Sequence, residues 1–239
     1  MAATATAPVR TSVLGIPVDV CEVRQQALHL AECGGQIVTL NAEMTMAALE
    51  NPDLRAAIEQ AELVIPDGAG VVWALGRQGH RVRRSPGIEL AYWLLEQAAA
   101  NGWGVALVGA SPEVLERLRL RLLEELPTLR LVFTADGYRS SAEWPDLQRQ
   151  LLAAQPRLVL VALGVPRQET WIASLPRPLA GLWMGVGGSF DVWAGEKRRA
   201  PGWMRAMQAE WLYRLVKEPT RWRRMLALPA FAREVVRRG

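Results

Sequence analysis

The stretch LVIPDGAGVVWAL, residues 63–75, changes its hydrophobic period halfway along. Leu63, Val64 and Ile65 make the short continuous apolar run expected of a fully buried strand. From Gly70 to Gly79 the spacing predicts a helix with Val71, Val72, Ala74 and Leu75 on its apolar side. Pro66, Asp67 and Gly68 lie between the two, so Asp67 occupies a tight turn where a strand hands over to a helix. In open α/β sheets, ligands bind at such turns, outside the carboxyl ends of the strands. A carboxylate placed there either caps the helix or carries chemistry, and this stretch alone does not separate the two readings.

The same strand–turn–helix order recurs on both sides. TSVLGIPVDV (11–20) reads as two short strands around a glycine turn, and residues 22–33 as a helix. QIVTL (36–40) is a strand, and a helix pair over 43–50 and 53–60 is broken at Asn51-Pro52. A further helix covers 89–100, and GVALV (104–108) is a strand. Ser111 then caps a helix with Pro112 at its first position, running to about Leu126. LRLVFTA (129–135) and RLVLVAL (157–163) are strands on either side of a helix near 142–154, and a last strand covers 182–186. Strands alternating with helices at this spacing predict an α/β fold: a doubly wound, mainly parallel, Rossmann-like sheet with helices on both faces. After Gly195 the alternation stops. Ala200-Pro201-Gly202 reads as a joint, followed by two helices over 203–217 and 220–237 split at Pro219. The expected division is a catalytic α/β domain over 1–195 and a basic, helical C-terminal appendage over 196–239.

Composition narrows the function classes. The chain has 239 residues, half of them hydrophobic and 22% charged, which supports a large core and confines expected disorder to MAATATAP at the start. Cys21 and Cys33 form no CxxC pair, so two free thiols in a reducing compartment are expected. The only histidines are His29 and His80; there is no HExxH and no DxD, so no metal site is expected. Neither GxGxxG nor GxxxxGK[ST] occurs, which leaves dinucleotide binding and P-loop chemistry without direct support. With no signal-peptide pattern and no apolar window of about 18 residues, a cytoplasmic location is expected. The net charge of +4 is uneven: residues 196–239 hold 12 Lys/Arg against 4 Glu, so the rest of the chain is acidic overall. A basic segment on an acidic body points to an anionic partner for that segment.

The polar residues at strand ends are the candidate site. Thr39 and Asn41 follow the 36–40 strand, Asp67 the 63–65 strand, Gly109 and Ser111 the 104–108 strand. Gln168 lies just past the 157–163 strand, and Gly187, Gly188 and Asp191 past the last one. In a parallel sheet these residues gather along one rim. Each also has a plain structural reading: Asp67, Asp191 and Asn41 as helix caps, Thr39 as a strand residue, Gly187-Gly188 as a tight turn.

A resemblance sharpens this. TLNAEM (39–44), VIPDGAGVVWA (64–74), RRSPGIEL (83–90), VALVGASPE (105–113), LVALGVPRQETWI (160–172), GVGGSFDVWAGEKRRAP (185–201) and EWLYRLVKEPTRWRR (210–224) occur in one order and spacing. Through them the chain resembles the WecG/TagA/CpsF glycosyltransferases of bacterial cell-surface polymer synthesis. The resemblance implies transfer of a sugar from a UDP-sugar to a polyprenyl-diphosphate-linked acceptor, typically N-acetylmannosamine onto N-acetylglucosamine, with inversion and without a metal or other cofactor. It implies Asp67 as the base, with Thr39 and Asn41 beside the reacting sugar. By their own chemistry Gln168 is expected to hydrogen-bond sugar hydroxyls from the facing strand end, the glycine turns at Gly109, Gly187 and Gly188 to bring backbone N–H groups to the diphosphate, and Asp191 and Tyr138 to contact ribose or base, with Arg84 a further substrate-binding candidate; from the appendage the resemblance implies Arg214, Arg221 and Arg224. Gly87-Ile88-Glu89-Leu90 departs from the family's Gly-x-Asp-Leu, which bears on the identity of donor or acceptor.

A lipid-linked acceptor implies a protein peripherally bound to the inner face of the membrane. The appendage suits that, with basic residues for anionic headgroups and Trp203, Met204, Trp211 and Trp222 for apolar insertion. The resemblance also implies a homo-oligomer, for which the sequence offers no interface. Three other readings stand beside it: a different donor such as UDP-glucose or UDP-glucuronic acid, a Rossmann-like oxidoreductase, and a nucleic-acid-binding module, the last without a recognised motif.

Overall fold

The computed structural model describes residues 8–206, 212–213 and 222–238. An antiparallel hairpin opens the chain: β1 (Val9–Val13) pairs with β2 (Ile16–Val20) around Leu14 and Gly15, both at positive φ. Asp19 of β2 is buried. Its carboxylate takes two hydrogen bonds from Arg10 and one from the Val64 N–H, at 2.7–2.9 Å, and so fastens the hairpin to the sheet.

The main sheet has six strands, all parallel, in the order β4 (Leu63–Pro66), β3 (Gly35–Leu40), β8 (Leu182–Gly185), β7 (Leu158–Ala162), β5 (Gly104–Gly109), β6 (Arg130–Ala135). The alternation of strand side chains explains the two faces. Ile37, Leu63, Ile65, Val105, Leu107, Leu158, Leu160, Leu182 and Met184 point into one core. Helices α1 (Val23–Cys33), α5 (Gly87–Asn101), α6 (Pro112–Glu125) and the short α9 (Ser189–Trp193) close it. The alternate residues face α2 (Ala42–Glu50), α3 (Pro52–Gln60) and α4 (Ala69–Arg77) at one end of the sheet. At the other end they face α7 (Trp144–Ala153) and α8 (Arg167–Ala173).

The doubly wound parallel sheet expected from the sequence is therefore present. The expected caps are present: Asn41 accepts from Met44 N–H and Ser111 from Val114 N–H, while Asn51, expected only as a break, caps α3 through Leu54 N–H. Helix α8 was not anticipated, because PRQETWI has one turn of weak periodicity and follows Gly-Val-Pro.

Beyond Gly195 no strand occurs among the described residues. Helix α10 (Gly202–Ala206) begins the region expected as a helix over 203–217; the remainder of that helix, apart from residues 212–213, and the break at Pro219 lie outside the described residues. The helix expected over 220–237 is two pieces, α11 (Trp222–Met225) and α12 (Ala227–Arg238), divided at Leu226. Pro229 explains the break: it lacks the N–H that would bond Met225 and its ring crowds that carbonyl, whereas in the first turn of a new helix it is harmless. Helix α12 is amphipathic and docks on the body. Phe231 and Val235, one turn apart, are buried among residues of α2 and α4. No helix among the described residues is long and apolar enough to cross a membrane.

Candidate active site

Because all six strands run the same way, their carboxyl ends form one rim, and the polar residues after them meet there. Strand register places Thr39 beside Ile65 and Leu40 beside Pro66, so Asn41 and Asp67 leave adjacent strands at the same level. The Asp67 N–H donates to the Leu40 carbonyl at 2.9 Å, tying the two turns together. Gly68 fits against Asn41, where a β-carbon would lie 2.9 Å from the Asn41 side chain. Thr39, Asn41 and Asp67 are all half-buried, with one side of each toward solvent.

Asp67 does act as a cap, but not for the helix that follows it. Its Oδ1 accepts from the Gly87 N–H at 2.9 Å, at the start of α5, twenty residues later. The N-terminus of a helix favours a negative charge, so the contact holds the carboxylate in place. Gly87 is needed for this approach: a β-carbon there would lie 2.7 Å from the Thr39 methyl group. The connecting loop is laced over the same turn. Arg84 Nε donates to the Asp67 carbonyl at 2.5 Å and the Ser85 N–H to the Pro66 carbonyl at 2.9 Å. Thr39, Asn41, Asp67 and Arg84 are thus brought together, with Gly87 and Ser85 as partners that the sequence did not single out. Asn41 uses its side-chain carbonyl to cap α2 through Met44 N–H, so it offers a ligand its NH₂ group.

The next strand along, β8, carries the Gly187-Gly188 turn into α9. Asp191 is half-buried in the first turn of that helix, with Lys197 4.0 Å away. The Gly187 N–H is already spent: it donates at 3.0 Å to Gln168 Oε1. The same oxygen accepts from the Gly164 N–H at 3.2 Å, so the Gln168 amide bridges the ends of β7 and β8. Gln168 is buried, and its Nε2 donates at 2.7 Å to Glu169. The structure therefore engages the Gln168 side chain within the protein, where sequence reading had it facing a sugar.

Glu169 is the residue that sequence reading missed, since a charged side chain in the string RQETW gives no sign of being buried. It is 2% exposed, and burial pushes its carboxyl up to about 7 against the pull of the Gln168 amide and its own N–H. Raised from an ordinary 4.5, it makes the folded protein take up a proton at intermediate pH. Stability from this group is complete below the ordinary value and is lost as pH rises through about 7. The whole effect is on the order of 3 kcal/mol.

Gly109 and Tyr138 stand farther along. After β5 the chain turns outward to β6, and after β7 it turns the other way to β8, so a switch-point crevice opens between the ends of β5 and β7. Gly109 has φ +113° and sits so close to β7 that a β-carbon would lie 2.4 Å from the Ala162 carbonyl oxygen. Tyr138 is 80% exposed on the turn after β6, its N–H bonded to Asp136. With strands about 4.8 Å apart, Gly109 lies roughly 19 Å along the rim from Asp67, on the far side of the Gly187 turn. Arg214 and Arg221 lie outside the described residues; Arg224 falls in α11, and its side chain is not described. The segment leaving α9 crosses the helices beside the rim on ion pairs: Glu196 with Arg117 of α6, Lys197 with Asp191, and Arg199 with Glu89 of α5 at 2.7 Å. Glu89, the departure from the family pattern, thus has a structural partner. Among the described residues no three His, Cys, Asp or Glu side chains group as metal ligands would.

Residues 11–239 match the profile of the glycosyl transferase WecG/TagA/CpsF family. The chain is 33% identical over 209 residues to an N-acetylglucosaminyldiphosphoundecaprenol N-acetyl-beta-D-mannosaminyltransferase of Bacillus subtilis (strain 168), covering 85% of this chain and 80% of the relative. It is 34% identical to the enzyme of the same name from Bacillus spizizenii, over 85% of this chain and 79% of that protein.

Proposed function

We infer, for a chain that belongs to the WecG/TagA/CpsF family and is therefore a glycosyltransferase, that it moves N-acetylmannosamine from a UDP-sugar to N-acetylglucosamine linked to a polyprenyl diphosphate, in cell-surface polymer synthesis. The names of the two relatives support this acceptor and this sugar. The observation that carries the chemistry is the grouping of Asp67, Thr39 and Asn41 on adjacent strand ends, with Asp67 held by Gly87. In the proposed step, the acceptor hydroxyl gives its proton to the Asp67 carboxylate as its oxygen attacks the anomeric carbon, and UDP leaves from the opposite face. Thr39 and the Asn41 NH₂ hydrogen-bond the sugar hydroxyls. The donor lies along the rim, its sugar toward Asp67, its diphosphate over the β8 turn near Gly188, and its nucleoside toward Asp191, Gly109 and Tyr138. Arg84, Arg214, Arg221 and Arg224 offset the charge growing on the diphosphate. Gly187 and Gln168 shape the turn between them.

The acceptor's lipid requires the protein to work at a membrane surface. Trp203, Trp222 and Leu226 are each more than half exposed around the basic appendage, which supports that reading. Each basic residue near anionic headgroups contributes about 1 kcal/mol. The test is a panel of UDP-sugars offered with a short-chain lipid-diphosphate-N-acetylglucosamine, with excess EDTA throughout. Extension of the acceptor from UDP-N-acetylmannosamine, undiminished by EDTA, is the expected result. Transfer from UDP-glucose or UDP-glucuronic acid alone replaces the donor, loss in EDTA overturns the metal-independent step, and calorimetric binding of NAD but not UDP overturns the reading.

A further inference from the structure

Buried carboxyl groups are costly, and Glu169 is a poorly compensated one. Oε1 accepts from Gln168 Nε2 at 2.7 Å, while Oε2 has no hydrogen-bond partner among the described residues. Its surroundings are built around it. Gly185 at the end of β8 leaves the space: a β-carbon there would lie 2.5 Å from the Gln168 amide and 3.0 Å from Glu169 Oε1. What the carboxyl accomplishes follows from the two-sidedness of an amide. Gln168 has an acceptor end and a donor end, and only with the acceptor end toward Gly164 and Gly187 can it bind both their N–H groups. An obligatory acceptor at position 169 takes the donor end and so fixes the amide the right way round.

We propose that Glu169 is a positioning residue: it orients the Gln168 amide, which clamps the Gly164 and Gly187 turns and so sets the rim on which transfer takes place. The clamp joins β7 to β8, the strand beside β3, which bears Thr39 and leads to Asn41; a change in its shape displaces the β8 turn relative to Asp67. The requirement is for a hydrogen-bond acceptor, not for a charge. A protonated carboxyl with its hydrogen on Oε2 still presents Oε1 to Gln168, as does a glutamine amide.

This inference rests on the functional reading above, but its first readout does not. In Glu169→Met, hydrogen exchange of the Gly164 and Gly187 amides, followed by NMR of the full chain, is expected to speed up at least tenfold over wild type. Glu169→Gln is expected to restore the protection. Transfer should follow the same order: kcat at least tenfold lower in Glu169→Met with KM changed less than twofold, and within about threefold of wild type in Glu169→Gln. The thermal midpoint of Glu169→Met at pH 8 should be no lower than wild type, because a buried carboxylate is removed; that separates positioning from general support of the fold. In a Gln168→Met background, Glu169→Met should have no further effect on kcat. Unchanged exchange at both glycines in Glu169→Met overturns the clamp. A tenfold or greater loss of rate in Glu169→Gln overturns the acceptor argument, and it is decisive even if Glu169→Met fails to fold. A wild-type protein that shows the protection but transfers no sugar overturns the functional reading and leaves the clamp standing.

Discussion

Asp67→Asn should lower the rate of sugar transfer by about 10²–10⁴-fold, the usual contribution of a positioned general base. Asparagine keeps the shape of the side chain and can still accept from the Gly87 N–H through its carbonyl. It cannot take up the acceptor's proton at neutral pH. The lost charge at the start of α5 costs roughly 0.3–1 kcal/mol of stability. UDP affinity measured by calorimetry should stay within a few-fold of wild type, since the proposed donor pose puts the diphosphate and nucleoside farther along the rim. Rates at saturating donor and acceptor check the first part. A variant turning over within a few-fold of wild type removes Asp67 from the proton-transfer step.

The second large effect is on stability and concerns the appendage. Phe231→Ala should destabilise the protein by about 3–5 kcal/mol, the range for emptying a buried aromatic site. Phe231 is 2% exposed, and its ring lies close enough to Gly70 that a β-carbon at that glycine would come within 3.3 Å. Gly70 belongs to the first turn of α4, directly after Asp67 and Gly68. Helix α12 thus packs against the helix whose approach turn bears Asp67. Urea unfolding followed by circular dichroism gives the value, and a change below 1 kcal/mol would show that α12 does not pack on the body. This packing also changes how the appendage is to be probed. Truncation after Gly195 removes Phe231 and Val235 from the core, so lost activity in such a protein reports on folding as well as on substrate or membrane contact. Substitutions at the exposed Trp203 and Trp222 leave that core intact.

The parts of the fold that were legible in the sequence are those with strong local signals. The runs at 63–65, 104–108 and 158–163 are apolar throughout because both faces of the sheet are covered, and Asn41, Ser111 and Pro112 mark helix starts by their own chemistry. The grouping at the rim followed from topology: once the strands were parallel, their ends had to coincide. What was not legible depends on contacts between distant segments. That Asp67 caps α5 and not α4 is decided by a loop folding back over twenty residues, and no local spacing encodes it. That Gln168 turns inward is decided by a glycine on another strand, Gly185, which leaves room for it. The burial of Glu169 runs against what its side chain prefers, so composition argues for the wrong answer. Phe231 was read with a helix expected to begin at residue 220; the break at Leu226 and the packing of α12 on α2 and α4 separate it from the segment before.

The central claim is a single displacement in which a carboxylate at the sheet rim deprotonates the acceptor. Its most direct test is the anomeric configuration of the first-formed product, read by proton NMR of the purified disaccharide diphosphate made from an α-linked UDP-N-acetylmannosamine donor. Attack from the face opposite UDP predicts a β-linked product. An α-linked product would mean retention, and would contradict a one-step transfer with Asp67 as base.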